Sequence, residues 1–230
     1  IAQCGWENKK ITVKQQLFDA IQSRITEDGW DADVSPTVVE AIGNFLTADT
    51  DSHSRLIELL QSTFQTGLPE AQAAVAKSTG KALTAESSPS EPLKHLLEQG
   101  LSVSTIEVQQ ATAVGACQAL NGGDSAKTVG ESILNQLLTT DKPNIRELIP
   151  KAVEKTVGNA SSDAAKKQAE LIEELVDDES SNVQIAVVEA AHEAIETREN
   201  ILEPFTSIIK NILMTQTGKP RKRASDALES

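Results

Sequence analysis

One thirteen-residue outline recurs along this chain at a nearly constant interval. Aligned on the first apolar residue, the copies read VSPTVVEAIGNFL from Val34, AQAAVAKSTGKAL from Ala71, VQQATAVGACQAL from Val108, IRELIPKAVEKTV from Ile145 and VQIAVVEAAHEAI from Val183. Their starts lie 37, 37, 37 and 38 residues apart. The fifth position is always β-branched (Val38, Val75, Thr112, Ile149, Val187) and the eighth always small (Ala41, Ser78, Gly115, Ala152, Ala190). The last position is Leu46, Leu83, Leu120, Val157 or Ile195. Such spacings share one face of a helix, and a column of small residues lets a neighbouring helix approach closely.

A second apolar pattern precedes each copy. Eleven and twelve residues before the starts stand Leu60 and Leu59, Leu97 and Leu96, Leu134 and Ile133, and Ile172 and Leu171. Counted from Pro220, a further copy gives Ile209 and Ile208. Seven residues before the starts stand Phe64, Leu101, Leu138, Val176 and Leu213. Each repeat therefore reads as a first helix followed, at constant distance, by a second. The earliest copy drifts, with Leu17, Phe18, Ile21 and Ile25 one or two residues early, which predicts a longer turn there. Turn and cap residues punctuate the scheme, as in TGLPE (66–70), TTDKPN (139–144) and DDESSN (177–182) within pairs. TADTDS (47–52), TAESSPSEP (84–92) and NGGDS (121–125) fall between pairs.

A helix pair of this length cannot bury its own apolar face, so the core must come from stacking pair on pair. The expected fold is all-α, a right-handed α-α superhelix (α-solenoid) of about six helix pairs with a period near 37 residues. A single solenoid over 1–230 is expected, with pairs at 11–47, 52–84, 91–121, 125–158, 163–196 and 200–230. Extending the register puts Ile1 and Cys4 at the β-branched and small positions of one second helix, and Ala227 at the small position of another. Both ends thus read as cutting through a helix, and the expectation is a segment of a longer solenoid.

The stretches DKPNIRELIPKAV (141–153) and DDESSNVQIAVVEAA (177–191) carry a resemblance. An Asp-rich turn, an apolar residue followed by Arg, and small residues at helical spacing resemble the HEAT repeats of armadillo-like α-solenoid proteins. The resemblance is architectural and covers nearly the whole chain. Only Arg146 matches the Arg of the family's second helix; Ser35, Gln72, Gln109 and Gln184 occupy the other copies. The Asp-to-Arg ladder that joins repeats in many HEAT proteins is therefore not expected throughout, and Gln is expected to hydrogen bond in its place. Pro150 falls inside a second helix, where it either forces a kink or marks a late start.

Composition narrows the function classes. Only 3% of residues are aromatic and there is no Tyr, which suits closely packed helices. A net charge of −13 opposes general binding to a phosphate backbone. Cys4 and Cys117 stand far apart without metal or redox spacing, so a reducing compartment is expected, the cytoplasm with the nucleus as the alternative. No apolar run approaches a membrane span.

Chemistry-bearing residues are sparse. His53, His95 and His192 do not repeat in register, and the pair His192-Glu193 alone falls short of the converging ligands a metal needs. Cys117 sits on the apolar side of a second helix and reads as a small core residue. No catalytic residue, metal site or cofactor is expected. The run KPRKR, with Lys219, Arg221, Lys222 and Arg223, is either a phosphate-contacting patch or the basic entry to the next second helix, and the latter is favoured. Trp6 and Trp30 are candidate contact anchors or covers of helix ends.

What remains is surface. HEAT-like solenoids tend to line their concave side with second helices, which here present two outward columns. The first is Glu40, Lys77, Val114, Lys151 and Glu189; the second is Asn44, Lys81, Gln118, Lys155 and Glu193. Their charge changes sign along the stack, which suits protein segments, including basic ones, better than a uniform polyanion. The resemblance implies a non-enzymatic protein-protein interaction scaffold within a larger assembly. The alternative is a nucleic-acid-associated HEAT protein contacting phosphates through 219–223.

Overall fold

The computed structural model describes Gln16, Ser23 and residues 35–48, 53–66, 68–85, 90–198 and 202–229. The expectations for Ile1, Cys4, Trp6, Leu17, Phe18, Ile21, Ile25 and Trp30 lie outside the described residues, as do parts of the connections at 49–52, 86–89 and 199–201. The described residues are helical, with no strand among them. In chain order the helices are α1 (Ser35–Ala48), α2 (His53–Gln65), α3 (Pro69–Leu83), α4 (Ser90–Ser102), α5 (Ile106–Ala119) and α6 (Asp124–Leu138). There follow α7 (Pro143–Arg146), α8 (Leu148–Thr156), a 3-10 turn at Val157–Asn159, α9 (Ser162–Glu173), α10 (Ser181–Thr197), α11 (Leu202–Thr215) and α12 (Gly218–Glu229).

The second helices form one layer in which α1, α3, α5, α8, α10 and α12 each pack on the next. The first helices lie against that layer, with α2 on α4, α4 on α6 and α9 on α11. This is an all-helical solenoid, and its core follows the columns. Val75, Thr112, Ile149 and Val187 are fully buried, as are Leu60, Leu97, Ile133, Leu134 and Ile172 on the first helices. Helix starts use local chemistry: Pro69 and Pro143 open α3 and α7, and Ser161 caps α9 by accepting from the Ala164 N–H at 3.2 Å.

Small residues set the spacing of the layer. A Cβ placed on Gly80 would lie 2.2 Å from the Gly115 Cα, and one on Gly115 would lie 2.5 Å from the Ala76 carbonyl oxygen. Helices α3 and α5 are therefore in backbone contact, which only glycine permits at this point. One repeat earlier, the buried Ser78 Oγ donates to the Val39 carbonyl at 2.9 Å, so the small position also ties α3 to α1.

Pro150 produces a break and a late start together. Helix α7 ends at Arg146, Glu147 intervenes, and α8 begins at Leu148 with the buried Pro150 in its first turn. Proline has no N–H to offer the Arg146 carbonyl, so one continuous helix would lose a hydrogen bond there.

The column of Gln72, Gln109, Arg146 and Gln184 has one function. Gln72 Nε2 donates to the Phe64 carbonyl (3.2 Å) and Gln109 Nε2 to the Leu101 carbonyl (3.1 Å). Arg146 Nη1 donates to the Thr140 carbonyl (2.8 Å) and Gln184 Nε2 to the Asp178 carbonyl (2.8 Å). Phe64 and Leu101 lie in the last turns of α2 and α4, whose carbonyls have no partner within the helix. Helices α3, α5, α7 and α10 thus each supply a donor to the end of the preceding first helix or to the turn after it. The position demands a long side chain with an N–H, and Gln meets the demand as Arg does.

Only Arg146 has a charge left over to join repeats. Its Nε and Nη2 grip Asp178 Oδ2 and Oδ1 at 2.5 and 3.0 Å, a two-pronged pair that is nearly buried. Gln216 extends the same edge by donating to Asp177 Oδ1 at 2.9 Å. On the opposite edge, Asn121 Oδ1 accepts the Ser161 N–H at 2.7 Å, and Arg198 Nη1 donates to the carbonyls of Val157 and Ala160.

Candidate partner-binding face

A groove of about 1010 Å³ opens over α1, α3 and α5 and reaches the loop between α8 and α9. Four of the candidate residues line it together: Glu40 from α1, Lys77 and Lys81 from α3, and Gln118 from α5. Lys81 Nζ stands 4.0 Å from Glu40 Oε1, a link between neighbouring repeats in which Glu40 is largely exposed and Lys81 half-buried. Gln118 is half-buried, so it offers the groove only part of its amide.

The remaining candidates sit outside the lining. Asn44 is exposed on α1. Lys151 and Lys155 follow on α8, and Glu189 and Glu193 on α10. Lys151 Nζ is 2.5 Å from Glu147 Oε1 within its own repeat, while Glu189 Oε1 accepts from Arg223 Nε of α12 at 3.4 Å. Val114, expected on the outward column, is instead buried. Val114 is the apolar member of an otherwise charged column, and its burial removes apolar surface from water.

The run at 219–223 divides its side chains between solvent and the neighbouring repeat. Lys219, Arg221 and Lys222 are exposed at the start of α12, Pro220 is buried, and Arg223 turns toward Glu189. The basic entry to a second helix and an exposed cationic cluster are therefore combined in it.

Glu70, Glu107, Asn121, Asn159 and Ser161 also line the groove, and the repeat outline gives no sign of them. They lie at helix starts and in the loops after second helices, outside the central positions that the repeat highlights. Glu70 and Glu107 place carboxylates at the helix-start end of the groove, whereas Lys81, Gln118 and Asn121 occupy the other end.

Reactive groups lie elsewhere or inside. Cys117 is fully buried, and burial pushes its thiol up to about 12 against the opposing pull of a hydrogen bond with Thr156. Thr156 Oγ1 in turn accepts from the fully buried Gln168 Nε2 at 3.0 Å. This small polar network joins α5, α8 and α9, and burial, against the pull of that network, keeps the sulfur a thiol at neutral pH. His192 Nε2 lies 3.5 Å from Glu196 Oε1 on its own helix. Among the described residues no three His, Cys, Asp or Glu side chains converge as a metal site requires, and no helix is long and apolar enough to cross a membrane.

No protein-family model and no curated protein sequence matches the chain. Several solved structures are similar to it. An engineered protein is 17% identical with a TM-score of 0.43, covering 93% of this chain and 95% of that one. A designed armadillo repeat protein is 14% identical with a TM-score of 0.41, covering 93% of this chain and 98% of its own. A computationally designed armadillo repeat protein for modular peptide recognition is 14% identical with a TM-score of 0.40, covering 93% and 98%. The assignment of a helical-repeat solenoid rests on this chain's own helix order and packing.

Proposed function

We propose that the chain is a HEAT-like, non-enzymatic scaffold that binds protein partners along the face formed by its second helices. The observation that carries this reading is the groove of about 1010 Å³ over α1, α3 and α5, whose walls carry Glu40, Lys77, Lys81 and Gln118. A long open surface with charges of both signs suits segments of another polypeptide, read by complementarity at several successive repeats. In this reading Lys151, Lys155, Glu189 and Glu193 continue the face beyond the groove, and basic segments dock at its glutamate end. The two widely spaced cysteines fit a reducing compartment, the cytoplasm or the nucleus.

The test is affinity capture with the 230-residue chain, repeated after reversing Lys77, Lys81, Lys151 and Lys155 to Glu. Recovery of the same protein by the original chain and its loss with the reversed chain is the expected result. Equal recovery by both forms would remove the second-helix face as the working surface.

The exposed Lys219, Arg221 and Lys222 favour a second reading, contact with nucleic-acid phosphates. It requires affinity that falls steeply with salt and is lost in the Arg221→Ala, Lys222→Ala, Arg223→Ala variant. The net charge of −13 and the pairing of Arg223 with Glu189 weigh against it.

A further inference from the structure

The internal pairing of the second-helix face leaves a particular charge pattern for a partner to meet. Glu40 is met by Lys81, Lys151 is met by Glu147, and Glu189 is met by Arg223. Lys77 on α3 and Lys155 on α8 are both exposed, and neither has an ion-pair partner among the described residues. In a chain of net charge −13 these two uncompensated amines stand on one face, on either side of α5. At that level α5 presents the buried Val114 and the half-buried, uncharged Gln118. Glu70 and Glu107 meanwhile occupy the helix-start end of the groove and repel a carboxylate from it.

We infer that the partner segment on this face is an extended, acidic stretch of polypeptide that crosses α5 and sets one carboxylate on Lys77 and another on Lys155. This inference rests on the scaffold reading above and specifies the chemistry of the partner. Packed helices sit roughly 8–10 Å apart, and Lys155 stands four residues, about 6 Å, further along its helix than Lys77, so two steps from α3 to α8 place the amines roughly 17–21 Å from one another. An extended chain rises about 3.3 Å per residue, so the two acidic residues stand about six positions apart. Phosphates of a single nucleic-acid strand recur far more closely than that, and a polyanion would also meet Glu70 and Glu107. A polypeptide with a short uncharged stretch between two acidic residues matches the pattern. Neighbouring positions over Glu189 and Glu193 accept basic or neutral side chains.

The test is selection of a random twelve-residue peptide library displayed on phage against the full chain, followed by fluorescence anisotropy with the enriched peptides. The expected result is a consensus with two acidic positions about six apart, and a Kd that rises about tenfold on Lys77→Glu or Lys155→Glu. The exposed Lys210→Glu on α11 serves as the control and leaves Kd unchanged within a factor of about two. An acidic consensus insensitive to both reversals overturns the inference. A basic consensus sensitive to Glu189→Lys and Glu193→Lys also overturns it, while leaving the scaffold reading intact. Failure to enrich any peptide, or a consensus indifferent to every change on this face, overturns both. Circular dichroism of each variant separates lost binding from lost fold.

Discussion

Asp178 concentrates more of the structure's polar bonding than any other carboxylate described above. Burial alone would raise its pKa. The hydrogen bonds from Arg146 and from the Ser180 N–H, together with the Arg146 charge, outweigh that cost and hold the carboxyl below its ordinary value of 3.8. Arg146 is correspondingly held above its usual value, chiefly by its hydrogen bond to Asp178. A carboxyl depressed by folding stabilises the native state above its unfolded pKa and loses that contribution as pH falls through the folded one. Asp178→Asn removes the charge but keeps the shape. At neutral pH it is expected to cost about 3 kcal/mol, because the nearly buried Arg146 loses its two-pronged partner and keeps only the looser contact with the exposed Glu179 at 3.8 Å. The gap between wild type and variant narrows below pH about 4. Urea titrations at pH 7 and pH 3 check this, and a gap of equal size at both pH values would show that the pair contributes no ionic stabilisation.

At the scale of helices, the donor column explains how each pair is closed. A carbonyl in the last turn of a first helix has no intrahelical partner, and leaving it buried without one costs about 1–3 kcal/mol. Gln109→Met keeps the length and most of the packing of the side chain but deletes the N–H that reaches Leu101. A loss of about 1 kcal/mol is expected, with faster amide exchange in the last turn of α4. If exchange at α4 is unaltered, the bond to Leu101 is dispensable. The helices themselves were legible from the sequence because buried positions recur: Val75, Thr112, Ile149 and Val187 occupy one column and all are buried. The donor column was visible as a departure from Arg, but its purpose was not, since no spacing reveals which carbonyl lacks a partner. Likewise DDESSN offers two adjacent aspartates, and only the side-chain geometry picks Asp178 over Asp177 for Arg146. Val114 reads as outward because the rest of its column is charged, whereas its own apolar side chain is buried. Glu70, Glu107 and Asn159 carry no signal in the sequence because stacking gathers them from helix ends that the outline does not cover.

For the molecule as a whole, stability in a stack of repeats is approximately a sum of repeat energies and nearest-neighbour joints, so one weak joint divides the array. The joint between α3 and α5 depends on glycine more than any other described above, since Gly80 and Gly115 leave no room for a Cβ on either side. The α5 to α8 joint, by contrast, buries Cys117, Ile149, Ala152 and Val153 and is backed by the Asn121 bond to Ser161. Gly115→Val adds three carbons where a Cβ already lies 2.5 Å from the Ala76 carbonyl oxygen and 3.2 Å from Leu97 Cδ2. Helix propensity favours the change by less than about 1 kcal/mol, whereas overpacking costs about 1–3 kcal/mol and more when backbone must move. The steric term wins, and it acts at one joint rather than throughout. The variant is therefore expected to unfold in two steps in urea, with α1 to α3 exchanging amides ahead of α8 to α12, while wild type unfolds as a more closely coupled array. Far-UV circular dichroism and hydrogen exchange resolved by peptide make the comparison. If Gly115→Val instead shifts a single transition and raises exchange equally in α3 and α10, the stack is coupled far beyond its neighbours. In that case the stack would hold its groove as one rigid surface, and a partner seated on Lys77 would sense a change made as far away as α12.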